Sequence, residues 1–314
     1  MRSLQAERSS PGAVESASIL MRDLIDYAGL FPPASLNMVS AVTRYDEYLR
    51  SEWKWVLGRF IVPVARLDEL KEAVAGLETL KTRNGFANWR LSALLGAEVI
   101  DDMARVRTFQ AHKPESRSAR RSVIESLEMK VSTPDEIKQV SGIAPAGVKV
   151  YFELPPSGRD DCIAMVAQCG RRAKIRTGGE TADKFPSPES VVEFVRLCAA
   201  AKVPFKATAG LHHPLRSVHR LTYQPDSPSG IMHGFLNVFL AACFVWSGMD
   251  STLAAELLEE QSAGAFRFDE DHVDWRGHRL GLREIAAARR NFAVSFGSCS
   301  FTEPIDDLRT LHLL

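Results

Sequence analysis

Short runs nearly continuous in apolar residues alternate along this chain with longer stretches in which apolar residues recur at helical spacing. Eight such runs read as strands, at 24–28, 56–62, 89–95, 127–132, 148–154, 173–176, 204–208 and 293–296. Runs apolar on both faces suit strands covered on both sides, as in parallel sheets. The intervening segments carry helix-start signals. Thr133-Pro-Asp-Glu136 offers a capping threonine, a proline at the first helical position and a glutamate placed to close a capping box. Ser187-Pro-Glu repeats that logic ahead of Val191, Val195 and Cys198, which share one helix face. Eight strand-then-helix units predict an α/β chain folded as a closed (β/α)8 TIM barrel.

Spacing is even except between the seventh and eighth strands. Residues 211–291 exceed one helix and a loop, and predict an insertion with helices over 231–246 and 250–261 and a hairpin over 266–279. Insertions after barrel strands cover the active face. Residues 1–18 are polar and lack an apolar stretch, so they read as a flexible tail ahead of a barrel spanning 19–314.

Composition then removes several function classes. Lysines plus arginines number 39, as do aspartates plus glutamates, so no electrostatic footprint for nucleic acid or an acidic membrane exists. The Arg117-Ser-Ala-Arg-Arg121 cluster reads as a solvated helix face. The longest apolar stretch, 231–246, is broken by His233 and Asn237 and is shorter than the ~20 residues of a bilayer span. Five cysteines without a C-x-x-C pair suggest reduced thiols and a cytoplasmic protein. The chain is compatible with a homo-oligomer.

Side chains at the C-terminal ends of barrel strands converge on one mouth. By position these are Asp26, Lys130, Glu153, Lys174, Arg176, Lys206 and the turn Gly297-Ser298-Cys299-Ser300. That mouth is rich in cations and suits a small anionic carbonyl substrate, with amides of the turns at Thr177-Gly178 and Ala209-Gly210 available to an acid group. Arg176 carries a fixed guanidinium fork that suits a carboxylate or phosphate oxygen. Lys174 and Lys206 sit at equivalent places in successive units. Two ammonium groups in one pocket disfavour each other's charge, and a neutral lysine is a nucleophile toward carbonyls.

These residues carry a family resemblance. Val148-Lys-Val-Tyr-Phe-Glu153 resembles the V-K-V-I-x-E strand of deoxyribose-phosphate aldolases, and Lys174-Ile-Arg-Thr-Gly178 their K-T-S-T-G. Phe205-Lys-Ala-Thr-Ala-Gly210 resembles F/V-K-x-x-G-G, Ile25 to Pro32 the opening I-D-H-T-x-L-x-P, and Phe296-Gly-Ser-Cys-Ser300 the terminal F-G-x-S-S. All five follow the family's order. The resemblance implies a (β/α)8 fold and class I aldolase chemistry without a metal or other cofactor. Lys174 would form the imine, Lys206 would hold its pKa down, and Asp26, Lys149 and Glu153 would match family site residues. The turns at Ala209-Gly210 and Gly297–Ser300 would bind a substrate phosphate. The family's fourth-strand aspartate aligns with Lys130, a reversal of charge, so its proton-relay role falls to Glu153 or to the insertion.

Two other readings stand beside this one. His212, His213 and His233, with Glu153 or Asp26, are candidates for a metal-dependent hydrolase or lyase site, although no H-x-x-H or H-E-x-x-H spacing is present. His212 or His213 alone would contact substrate or serve as an acid/base. The barrel could also be catalytically inactive and bind a small acid. Thr177-Gly-Gly179 fits no nucleotide-binding pattern.

Overall fold

A computed structural model of the chain describes residues 13–80, 88–112 and 122–314. Residues 1–12 of the expected tail and the basic cluster at 117–121 lie outside the described residues.

Each predicted apolar run forms a strand. β1 (Ile25–Tyr27), β2 (Leu57–Pro63), β3 (Trp89–Leu94), β4 (Ser122–Lys130), β5 (Lys149–Glu153), β6 (Arg172–Arg176) and β7 (Phe205–Thr208) come first. The insertion contributes β8 (Ser217–Arg220), β9 (Ser229–Met232), β10 (Phe266–Phe268), β11 (His272–Trp275) and β12 (His278–Gly281), and β13 (Ala293–Ser298) ends the series. The helices are α1 (Glu15–Met21), α2 (Met38–Tyr48), α3 (Leu67–Leu80), α4 (Val99–Ala111), α5 (Pro134–Ile143) and α6 (Arg159–Gln168). They continue with α7 (Pro188–Ala200), α8 (Phe235–Trp246), α9 (Ser251–Glu259), α10 (Leu282–Asn291) and α11 (Thr302–Thr310).

Eight strands close into a parallel barrel in the order β1-β13-β7-β6-β5-β4-β3-β2. The chain is a (β/α)8 barrel. Apolar residues on the outer faces of the strands meet the helices and form the core. An aromatic group of Tyr27, Tyr45, Phe60 and Trp89 fills one sector, with Tyr45 and Trp89 edge to face at 4.8 Å. Tyr45 donates its hydroxyl proton to the Gly58 carbonyl at 2.9 Å, satisfying a polar atom that this packing buries. The expected caps form. Thr133 and Glu136 close a capping box at α5, and Ser187 caps α7 ahead of Pro188.

The insertion differs from its expected outline. Ile231 and Met232 belong to β9, and the helix starts at Phe235, because Gly234 adopts extended backbone and breaks the apolar run. The second helix is α9, capped by Asp250. The expected hairpin is the antiparallel three-stranded sheet β10-β11-β12. A further hairpin, β8-β9, precedes α8 and reaches over the barrel mouth. The tail also ends earlier than expected. Ser16, Ala17 and Ser18 are buried within α1, which packs on α10. No described helix is long and apolar enough to cross a membrane.

Candidate active site

Parallel register brings the two lysines together. Lys174 of β6 is paired with Lys206 of β7, and Glu153 of β5 with Lys174. Lys174 is 5% exposed and Lys206 only 1%. The side chain joining them is Glu128 of β4. Its Oε2 lies 2.8 Å from Lys174 Nζ, and its Oε1 accepts from Lys206 Nζ at 2.5 Å. Each lysine has a second carboxylate. Lys174 pairs with Glu153 Oε2 at 3.0 Å, and Lys206 with Asp26 Oδ2 at 2.6 Å. Lys206 Nζ also lies 5.2 Å from the centre of the Tyr151 ring, a cation–π distance.

Hydroxyls and guanidinium groups complete the network. Glu128 Oε1 accepts from Ser92 Oγ at 2.5 Å, and Ser126 Oγ donates to Ser92 Oγ at 2.7 Å. Asp26 accepts the Arg59 amide at 2.7 Å and Ser295 Oγ at 2.8 Å. A side chain at Gly58 would run into Asp26 Oδ1, so β2 requires glycine where the carboxylate leans against it. Arg176 Nε donates to Glu153 Oε1 at 2.9 Å.

This arrangement corrects one expectation from the sequence. The ammonium groups do meet, but carboxylates intervene, and Lys206 moves upward. Burial alone would lower its pKa, yet Asp26 and Glu128 outweigh burial and hold it above the ordinary lysine range. The carboxylates answer in kind. Burial would raise Asp26, Glu128 and Glu153, but the facing lysines, with Arg59 and Arg176, hold all three below their ordinary values. Lys206 is therefore a fixed positive charge at neutral pH.

Above this network a cavity of about 390 Å³ opens at the C-terminal ends of the strands. Its floor holds Glu128, Glu153 and Lys174, and Arg176, Ala209, Gly210, His212 and Gly297 border it. Lys206 and Asp26 lie beneath, sealed from the cavity by Glu128. Ala209 and Gly210 both take left-handed backbone, at φ of 62° and 73°, which turns the chain sharply after β7. Gly178 meets Gly210 backbone to backbone with the Phe185 ring against both, so neither position has room for a side chain.

Other expected residues lie elsewhere. Lys130 ends β4 on the exposed rim and does not border the cavity. The fourth-strand acid that faces the lysines is Glu128, one inward-facing position earlier, so the supposed charge reversal is not in the network. Lys149 starts β5 at the opposite end of the barrel, where partial desolvation of its side chain and then Arg59 and Arg172 lower its pKa. Thr177 donates to the Ala209 carbonyl at 2.7 Å, tying two loops together and leaving the cavity wall to others. Ser298 is buried, with its carbonyl accepting the Ala28 amide at 2.7 Å. Ser300 Oγ accepts the Glu303 amide at 3.2 Å and braces the start of α11.

The histidines turn to separate partners. His212 Nδ1 meets Glu303 Oε2 at 3.1 Å, and Tyr223 donates to the same oxygen at 3.0 Å. His213 Nδ1 meets Asp307 at 2.7 Å, and its ring stacks on His219. His233 sits just before α8, with Nε2 2.7 Å from the Pro186 carbonyl and burial lowering its pKa. They do not converge with Glu153 or Asp26. Among the described residues no group of three His, Cys, Asp or Glu is arranged to hold a metal ion.

Glu128 was the residue that position alone missed. The signal was present in Ser126-Leu-Glu128-Met-Lys130, where alternation places three polar residues on the inward face of an otherwise apolar strand. The Glu303–Tyr223 partnership with His212 spans 80 and more residues and had no local signal.

Fold and site define a (β/α)8 barrel with a lysine–carboxylate centre at the floor of its mouth. Compared with family models, curated proteins and solved structures, the chain matches none of them.

Proposed function

We propose that the chain is a Schiff-base-forming enzyme of the class I aldolase type, a carbon–carbon lyase acting on a small anionic aldehyde or ketone. One observation carries this reading: two buried lysines share one carboxylate, and only Lys174 borders the cavity. Lys174 is then the nucleophile. Its amine adds to the substrate carbonyl, and Glu153 relays the proton it sheds to the departing hydroxyl, which leaves as water. The imine draws electrons from the bond that breaks. Lys206 stays charged and fixes Glu128 in place, so that the carboxylate holds the Lys174 amine at the cavity floor.

His212 is the acid/base nearest the substrate in this scheme. With Nδ1 committed to Glu303, its Nε2 is the nitrogen left for a substrate hydroxyl. Arg176 engages Glu153 through Nε, and its terminal nitrogens have no protein partner among the described residues, so they are available to a substrate acid group.

Borohydride reduction in the presence of a panel of aldehydes and keto acids, followed by peptide mass spectrometry, tests the proposal. The expected product is a secondary amine on Lys174, absent in Lys174→Ala together with turnover. Saturable binding of an acid without any adduct would instead favour a barrel that binds and does not catalyse.

A further inference from the structure

The cavity wall is divided by chemistry, and the division follows strand order around the barrel. Ala28, Phe31 and Pro32 follow β1, Ile61 lies on β2 and Leu94 on β3. These three strands are consecutive in the closed sheet, and every wall residue they supply is apolar. Their charged residues, Asp26, Arg59 and Arg90, lie below the mouth and are spent on the lysine network, Glu125 and Asp23. The next arc, β4 to β6, supplies Glu128, Glu153, Lys174 and Arg176, all charged. The remaining strands, β7 and β13, add small neutral groups such as Thr208 and Gly297. From above, hairpin β8-β9 adds the apolar Leu221 and Met232, each 4% exposed, with β9 packed on the Ala182–Lys184 turn that follows β6.

Position around the ring sharpens this. β6 and β2 stand four strands apart in an eight-stranded barrel, so Ile61 faces Lys174 across the mouth. Gly297 carries no side chain beside Ile61, and one built there would approach Ile61 Cδ1 at 3.1 Å, so the apolar face is left open to the cavity.

We infer that the substrate is amphipathic: an aldehyde or keto acid whose polar end meets Lys174 and Arg176 and whose alkyl or aryl arm lies across the mouth on Ile61, Leu94 and Phe31. A phosphorylated sugar fits this cavity poorly. Hydroxyls on the far side would face the side chains of Phe31, Ile61 and Leu94, and desolvating them without partners is unfavourable. Apolar burial does the opposite, tightening binding roughly threefold to fourfold per added methylene. The location of the carbonyl rests on the imine proposal. The apolar arm does not, since it follows from the wall itself.

A two-part experiment separates the ideas. Binding of straight-chain carboxylic acids from two to eight carbons, which cannot form an imine, is measured calorimetrically on the full chain. Affinity is expected to rise at least tenfold over the series and to flatten in Leu94→Gln, with Ile61→Thr as a second, smaller and polar variant. Circular dichroism confirms that each variant is folded. The second part compares borohydride trapping of apolar aldehydes with that of a phosphorylated three-carbon aldehyde. Faster trapping of the apolar series supports the inference. Rising acid affinity with no trapping at all leaves the amphipathic ligand standing and removes the imine. Affinity that is flat or falls with chain length, no binding of any acid at millimolar concentration, or preferential trapping of the phosphorylated aldehyde overturns the inference.

Discussion

Glu128 holds the centre together, because one carboxylate with both oxygens engaged is what lets two lysines share a pocket. Removing it leaves Lys206 with Asp26 alone and Lys174 with Glu153 alone, both deep in the barrel. Breaking a buried ionic network by deleting one partner costs about 3–5 kcal/mol. Glu128→Ala is expected to lose stability of that order in urea unfolding, and Lys206→Met a comparable amount. An effect below ~1 kcal/mol in both would mean that the network contributes little to folding. The pKa directions add a pH dependence with two edges. Asp26, Glu128 and Glu153 are lowered from ordinary values of 3.8, 4.5 and 4.5, so their contribution is present above that range and fades as pH falls through the lowered values. Lys206 is raised from 10.5, so its contribution is complete below that value and fades as pH climbs through the raised one. The network's own contribution, read as the difference in urea midpoint between wild type and Glu128→Ala, should therefore be level from about pH 5 to pH 10 and fall on both sides. In Lys206→Met the alkaline edge attributable to this residue should vanish.

At the scale of elements, apolar runs were easy to read and their edges were not. The eight barrel strands were legible because parallel strands bury both faces and allow few polar residues. That same density made the exceptions informative. Asp26, Ser92, Ser126 and Ser295 interrupt apolar strands, and all are buried inside the barrel on the lysine network. What the sequence did not disclose was which of two polar residues on one face would point to the centre. Lys130 lies at the strand end, where its long side chain reaches solvent, whereas Glu128 lies one inward step deeper. The segment 231–246 failed for a different reason. Ile231 and Met232 are as apolar as the helix after them, and only Gly234 marks where the strand stops. Local signals of the capping type were reliable because they act within one turn. Thr133→Ala removes the α5 cap and should destabilise by about 1 kcal/mol, without changing any property of the site. A drop in trapping rate in that variant, at full folding, would reveal a link between α5 and the mouth that the geometry lacks.

For the whole molecule, closure of the sheet makes distant residues neighbours. Asp26 and Lys206 are 180 positions apart in sequence, and β1 and β7 both flank β13 in the barrel. The mouth was therefore readable as a set of strand ends, while its partition into an apolar and a charged side was not. That partition needs the circular order of strands and the hairpin above them, neither of which appears in a linear reading. Arg176 connects the two scales, since its place at the end of β6 was evident and its pairing with Glu153 was not. Arg176→Lys keeps the charge but loses the planar fork, and should weaken binding of acid-bearing carbonyl ligands about tenfold while leaving the trapping rate at saturation nearly unchanged. The most direct measurement is the site of covalent capture by borohydride with an aldehyde, read by peptide mass spectrometry on the wild-type chain. The predicted result is a reduced adduct confined to Lys174, with Lys206 unmodified. An adduct on Lys206 or on surface lysines alone, or undiminished turnover in Lys174→Ala, would contradict it.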